Sequence, residues 1–549
     1  MRNRMRACVI LALGLGAGLA GCGDGAPREV VPRLGRALPP AHDIDPLGAP
    51  APDDAFFGRA AALYERQCAP CHGASGEGDG PAAHLLHPKP RNLVKARFRF
   101  VSTWEGAPTD DDLYRVISRG IPGSAMPAWS WLPERDRWAL VHFVKGLAKK
   151  PIRVAAGDPG PPGDVGKGVL APPPEPADDA ASRHRGAKLF QENCKPCHGE
   201  RGRGDGPQAS SMKDEEGLPI RPRNLGTGVF KSDPRPEHLF RRVVLGIPGT
   251  PMPMTPTFKG GDGWHLVHYV RSLSSDRLRE RAELSRRRLA VVPVDPLPDH
   301  PDSGGWRAIA GTELHLMPLW WRHDRPELVT VQAASDGRSL GLLLVWADDS
   351  HDARIVRSQD FRDAAAVQIA PAGDDPPFFA MGERNRSVEI WMWKSERQAD
   401  LSRFQDLESE YPNIGIDSYP NLQHKPHEQP VRSAFTPESD RAFITAWGAG
   451  NVVVDPTRSS AAEDLMAKGF GTLRARADQL VAARGVHASG SYRVMFTRAL
   501  QAAGRVELSR GAIVPVAFAI WNGDAGDRAG QKSVTIWHEL DLAAMGRAP

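Results

Sequence analysis

Cys68-Ala69-Pro70-Cys71-His72, followed by Gly76-Glu77-Gly78-Asp79-Gly80-Pro81, decides the reading of the fold, because the chain contains it twice. It returns 126 residues later as Cys194-Lys195-Pro196-Cys197-His198 and Gly202-Arg203-Gly204-Asp205-Gly206-Pro207. Arg91-Asn92-Leu93 matches Arg223-Asn224-Leu225 at an offset of 132, so the second copy carries about six extra residues before this point. The 126 register is then restored: Gly120-Ile121-Pro122-Gly123-Ser124-Ala125-Met126-Pro127 matches Gly246-Ile247-Pro248-Gly249-Thr250-Pro251-Met252-Pro253, and His142-Phe143-Val144 matches His268-Tyr269-Val270. Agreement at five separate places identifies a duplicated domain.

Cys-x-x-Cys-His has a specific chemical meaning: the thiols add across porphyrin vinyl groups, and the adjacent histidine is placed to ligate iron on one face. Cys68, Cys71, Cys194 and Cys197 are therefore expected to attach two haems c, with His72 and His198 on their irons. For the opposite face the repeat nominates methionine, since Met126 and Met252 each lie 54 residues after their histidine, in an aligned Ile-Pro-Gly loop and before a proline. Met254 competes in the second copy. His/Met ligation closes both axial positions and raises the potential, which suits electron transfer and disfavours chemistry on small substrates. His84 and His87 have no counterparts and read as surface residues, whereas His142 and His268 correspond and read as packed or propionate-contacting residues of an amphipathic helix.

Helical periodicity precedes each cysteine pair, over 55–67 and 181–192, and closes each copy, over 134–149 and 264–273, with a shorter helix at 110–118 or 236–244. A few helices around a loop-rich middle resemble a small class I-like cytochrome c. From about residue 304 the pattern changes to short β-branched and aromatic runs, at 340–347, 364–369, 387–394, 492–497, 514–521 and 533–538, separated by Gly, Asp and Asn clusters. The expected fold class is multidomain: two all-α cytochrome c domains (55–150 and 181–275) followed by an all-β sandwich domain (304–549). Segments 151–180, rich in Pro and Gly, and 276–303, charged and Pro-rich, read as linkers.

At the amino end, Arg2, Arg4 and Arg6 precede a short apolar stretch and Leu19-Ala20-Gly21-Cys22, the order of a secretory signal. The small residues before Cys22 resemble a bacterial lipobox, which implies a leader over 1–21, acylation of Cys22, a flexible tether over 22–54, and a protein held on the periplasmic side of a bacterial membrane without crossing it. The formal charge falls from +4 to +1 when the three leader arginines leave, so bulk electrostatics exclude a nucleic-acid partner. Of six cysteines, Cys8 leaves with the leader and Cys22 anchors, so the haem motifs use the remaining four.

In the third domain, Phe379-Ala380-Met381-Gly382-Glu383, Ile390-Trp391-Met392-Trp393-Lys394, Lys468-Gly469-Phe470-Gly471-Thr472-Leu473, Val516-Ala517-Phe518-Ala519-Ile520-Trp521-Asn522-Gly523 and Lys532-Ser533-Val534-Thr535-Ile536-Trp537 resemble the haem b-binding (gamma) subunit of ethylbenzene dehydrogenase and related molybdenum enzymes of the DMSO reductase family. The resemblance implies a β-sandwich holding one non-covalent haem b by a methionine and a lysine. It also implies partners in a molybdopterin catalytic subunit and an iron–sulfur subunit. Met381 matches the family's Met-Gly; for the lysine, Lys468 before Gly-Phe-Gly is preferred to Lys394. A ligating lysine must lose its proton against an ordinary pKa of about 10.4, which requires a buried pocket. The leading expectation is an electron-transfer subunit without catalytic residues, relaying electrons between a molybdopterin oxidoreductase and other cytochromes or quinol-linked respiratory proteins. A di-haem peroxidase and a cytochrome with a haem-free docking sandwich are the alternatives.

Overall fold

The computed structural model describes residues 53–402, apart from 162, 232, 323, 324 and 374, together with 411 and 457–543. The expected leader and the anchor Cys22 lie outside the described residues.

The first copy comprises α1 (Asp54–Gln67), α2 (Ala69–His72), α3 (Asp110–Arg119) and α4 (Glu134–Gly146); the second comprises α5 (Ala180–Asn193), α6 (Lys195–His198), α7 (Pro236–Leu245) and α8 (Gly261–Ser272). The starts follow from capping: Asp53 accepts from the Phe56 amide at 2.7 Å, Asp179 from the Ser182 amide at 2.8 Å, and Thr109 and Asp112 close a capping box on α3. The last helix of each copy packs on the third, and crosses the first, at equivalent residues. Trp138 stacks on Tyr114 with centroids 4.7 Å apart, and Trp264 packs on Phe240 at 4.7 Å, each pair displaced by 126 from the other. Ala60 is fully buried at the first crossing, whereas its counterpart Gly186 lets α5 and α8 come closer, since a Cβ there would lie 1.9 Å from the His265 carbonyl oxygen.

The expected linkers are ordered. Leu170 is buried, its amide donating to Ser102 O at 2.8 Å, and Trp264 Nε1 donates to Pro173 O at 2.9 Å, so 151–180 lies against both copies. Segment 276–303 carries α9 (Asp276–Ala282) and two short strands, β1 (Arg288–Ala290) and β2 (Val292–Pro293), one joining each sheet that follows.

The remaining strands are β3 (Thr312–His315), β4 (Met317–Pro318), β5 (Leu328–Ser335), β6 (Ser339–Ala347), β7 (Ala364–Ile369), β8 (Val388–Lys394), β9 (Ala462–Ala467), β10 (Arg474–Ala475), β11 (Val481–Ala488), β12 (Ser491–Ala499), β13 (Ile513–Trp521), β14 (Ser533–Val534) and β15 (His538–Asp541). They form a nine-stranded sheet in the order β1-β15-β13-β7-β8-β9-β10, with β14 attached at β13 and β4 on β14, and a six-stranded sheet in the order β11-β12-β6-β5-β2, with β3 on β5. The expected strand 533–538 is divided into β14 and β15, because Thr535 pairs with Phe518 through both its amide (2.9 Å) and its hydroxyl (3.0 Å) and interrupts the ladder.

Alternation along the central strands assigns their two faces. Ala365, Val367 and Ile369 of β7, with Val516 and Phe518 of β13, belong to the core between the sheets. Ala364 and Ala366, with Ala517, face outward into a second apolar cluster with Leu86, Leu93 and Trp129 of the first copy. The large sheet is thus buried on both faces, one by the second sheet and one by the first α-helical domain.

The second copy's extra residues dock it on the first. Glu215 receives Arg91 at 2.7 Å and Arg97 at 3.0 Å, and Asp214 receives Arg99 at 2.9 Å. In the opposite sense, Arg242 of α7 is buried and donates to the Val101 and Arg99 carbonyls.

The unequal helix crossings generate a stability prediction. Gly186→Ala forces α5 from α8 and is expected to destabilise the protein by about 1–3 kcal/mol. Gly58→Ala, at an exposed α1 position with nothing within 4 Å of the added Cβ, is expected to stabilise by roughly 0.5–1 kcal/mol through helix propensity. Denaturant midpoints of the two variants moving in the same direction would refute this account of the crossings.

Candidate haem sites

In both copies the cysteine pair follows a break between two helices. The Cys68 amide ends α1 by donating to Tyr64 O at 2.9 Å, Pro70 starts α2, and the His72 amide returns to Cys68 O at 2.8 Å. Cys194, Pro196 and His198 repeat this, with amide bonds of 2.8 and 2.9 Å. Cys68, Cys71 and His72 therefore fall on one wall of a cavity of about 200 Å³, and Cys194, Cys197 and His198 on one wall of a cavity of about 420 Å³. Burial pushes Cys68 and Cys71 up to about 12 and Cys194 up to about 11, which keeps them as neutral thiols.

The histidines are prepared as ligands. His72 Nδ1 lies 2.9 Å from Arg91 O, and since a carbonyl can only accept, Nδ1 carries the proton and Nε2 keeps its lone pair. Burial lowers the His72 pKa and, assisted by Lys231, that of His198 to about 4, so both rings are neutral near pH 7. In the second copy Nδ1 of His198 is buried without a partner among the described residues.

The methionines reach the same cavities on matched loops. The Ile121 amide donates to Met126 O at 3.0 Å and the Met126 amide to Ser124 Oγ at 3.3 Å; Ile247, Met252 and Thr250 repeat these bonds at 3.1 and 3.2 Å. The turn requires Gly120 and Gly246, at φ +69° and +63°, because a Cβ would lie 2.6 Å from the Pro127 carbonyl carbon or 2.4 Å from Pro253 O. Met126 lines the first cavity and Met252 the second. Met254 packs against the apolar core of the second copy instead.

The other histidines line none of these cavities. His268 is held by Ser182 Oγ at 2.6 Å and Glu175 at 3.1 Å, and His142 packs edge-on against Phe56. His84 is exposed, but His87 is not the surface residue its sequence suggests: its amide donates to Leu319 O at 2.9 Å, its carbonyl accepts from the Trp321 amide at 2.8 Å, and its ring lies against Trp320. It ties the first copy to the sandwich.

The outward face of β7, β8 and β13 carries a third cavity, of about 390 Å³, into which Met381 and Lys532 both project from the wall. Met381 has φ +71°, a costly conformation for a non-glycine residue, and Gln368 on β7 holds it there. Gln368 accepts from the Met381 amide at 3.0 Å and donates to Phe379 O at 2.7 Å, while the Gly469 amide donates to Met381 O at 2.8 Å.

The lysine at this cavity differs from both sequence candidates. Lys468 is exposed, its amide bound to Thr472 Oγ1 at 2.7 Å in a tight turn, and is absent from the cavity wall. Lys394 is neutralised by both oxygens of Glu463, at 2.8 and 2.9 Å. Lys532 has no carboxylate partner among the described residues, its Nζ lies 4.6 Å from the Trp521 ring centroid, and burial pulls its pKa down to about 8. The signal was present in the sequence as the first residue of Lys532-Ser533-Val534-Thr535-Ile536-Trp537. A thioether and a readily deprotonated amine in one apolar cavity fit a haem iron, as two thiols, an imidazole and a thioether fit each of the other two.

The three cavities adjoin. Cys71, Leu86, Ala125, Phe378 and Phe379 line both the sandwich cavity and the first-copy cavity. Arg223, Lys231, Ile247 and Thr250 line both the first-copy and second-copy cavities.

Three family profiles match the chain: cytochrome c oxidase, cbb3-type, subunit III over residues 57–144, cytochrome c over 184–274, and ethylbenzene dehydrogenase over 320–533. The chain is 23% identical over 270 residues to a Haloferax mediterranei protein provisionally named respiratory nitrate reductase haem subunit ORF7, covering 47% of this chain and 75% of that protein. Among solved structures, the reducing HAO-like protein complex of Kuenenia stuttgartiensis is 36% identical over 40% of this chain and 96% of its own, with a TM-score of 0.34. A family 9 carbohydrate-binding module from Caldicellulosiruptor kristjanssonii with bound glucose is 9% identical over 48% of this chain and 97% of its own, with a TM-score of 0.26.

Lys532→Leu is expected to abolish acid-acetone-extractable haem while Lys468→Leu retains it; the reverse result restores Lys468 as the ligand. A lysine can ligate only after losing its proton, so with Lys532 as the ligand the haemin affinity of protein produced without haem b should rise with pH through about 8 and level off above it.

Proposed function

We propose, for a chain that joins two cytochrome c domains to an ethylbenzene dehydrogenase domain, that it is a three-haem relay with the haems in the order b, first c, second c. Cytochrome c domains make electron transfer its chemistry. Bound haem iron carries one electron between its ferrous and ferric states. Cys68 and Cys71, and Cys194 and Cys197, attach the two haems c. His72 with Met126, and His198 with Met252, would hold the irons and keep small molecules from them. Met381 and Lys532 hold the haem b. The carrying observation is that the three cavities adjoin in sequence, the first copy's cavity sharing lining residues with each of the others.

The sandwich cavity, with its two donors, favours a retained haem b over a haem-free docking module. Methionines in both c-type cavities argue against a peroxidase, which needs an open iron. The protein therefore acts as an electron-transfer subunit, with catalysis carried by a partner. The family resemblance supports a molybdopterin catalytic subunit and an iron–sulfur subunit at the haem b end, with other cytochromes or quinol-linked respiratory proteins at the second c haem. The relative's name also points to a respiratory enzyme. Leader and lipobox support export to the periplasmic side of a bacterial membrane, held by lipid on Cys22.

Pyridine haemochrome analysis before and after acid-acetone extraction is expected to count two covalent haems and one extractable haem per chain. The reduced protein should leave carbon monoxide unbound at both covalent haems, and Met126→Ala should open one of them. A colourless mature protein, or carbon monoxide binding at both wild-type covalent centres, would overturn the relay.

A further inference from the structure

Arg223 and Lys231 occupy the positions that Arg91 and Arg99 occupy in the first copy, each pair at the same offset of 132. Their surroundings differ. Arg91 and Arg99 are neutralised by Glu215 and Asp214, whereas neither Arg223 nor Lys231 has an ion pair among the described residues. Arg223 is 8% exposed, covered by Trp321 at 5.3 Å, and donates to the Gly123 carbonyl of the loop that carries Met126; its Nε and Nη1 are buried without a partner among the described residues. The acid that bears on it, Glu327, already accepts from Arg325 at 2.9 Å. The charges acting on Lys231 are Arg223 and Arg99, both of its own sign, and with burial they pull it down to about 7.

Two buried cations without counter-charge are unfavourable, and the cost is removed when an anion reaches them. Both residues line the cavity of each cytochrome c domain. A haem brings two propionate carboxylates, and a guanidinium pairs with carboxylate in bidentate fashion. We propose that Arg223 and Lys231 form one anion-receiving site shared by propionates of both covalent haems, so that the charge on either haem is felt at the other. This rests on both cytochrome c domains carrying haem. A cation near an iron favours its reduced, less positive state, so a shared cation raises both midpoints together. Arg91 and Arg99, already neutralised and lining the first cavity but not the second, serve the first haem alone.

Spectroelectrochemical titration of the full-length holoprotein tests this, the two c-haem waves being assigned with Met126→His. Arg223→Gln and Lys231→Met are each expected to lower both c-haem midpoints, by roughly a tenfold change in the reduced-to-oxidised ratio, about 59 mV for a one-electron couple. Arg223→Lys should restore most of the shift, and Arg91→Gln should move the first haem's wave alone. The shared site is refuted if Arg223→Gln or Lys231→Met moves one wave or none while haemochrome analysis still counts two covalent haems. Fewer than two in the wild-type protein would refute the haem c reading itself. Should Arg223→Gln fail to accumulate, Lys231→Met carries the same two-wave criterion.

Discussion

Burial of the large sheet's outward face is the constraint on which the rest depends. A strand with one solvated face alternates apolar and polar residues, but all six residues of β7 are buried. Inward, Ala365, Val367 and Ile369 fill the sandwich. Outward, Ala364, Ala366, Ala517 and Ala519 are small, and the cytochrome c domain covering them leaves a void that larger side chains would fill. Small residues on one face and large ones on the other give a single sheet both a packed core and a cofactor-sized cavity. The covering domain contributes Cys71, so the same packing brings the first c-type site against the sandwich site.

The second cytochrome c domain is held by charge where the first is held by apolar area. Its extra residues carry Asp214 and Glu215 to three arginines of the first copy. Arg223 and Arg242 reach the other way to backbone carbonyls. Such partly buried pairs contribute modest net stability and strict registry. Registry is what the proposed relay needs, because the loop around Met126 and the wall of the second cavity meet at Arg223.

Much of this was legible in the residues. The Cys-x-x-Cys-His strings, the matched methionines and the exchange of helical for strand periodicity each depend on spacing within a few turns or along one aligned repeat. Helices α1, α3 and α7 and strands β6, β7 and β13 accordingly lie within a few residues of their predicted limits. The linkers were less legible, because Leu170 and the short strands β1 and β2 gain their order from neighbours distant in sequence.

The sequence by itself determined the duplicated domain and nominated Cys68, Cys71, Cys194 and Cys197 for attachment and His72 with Met126 and His198 with Met252 for ligation, since chemistry bound to short, repeated spacing is legible without a fold. Tertiary structure decided which lysine can serve as a ligand. Lys468, Lys394 and Lys532 are alike as letters, and what separates them is solvent around the first, Glu463 beside the second, and burial against Trp521 for the third. A proton leaves an amine readily where water and carboxylates are both excluded, and that exclusion is created by distant segments closing on one another.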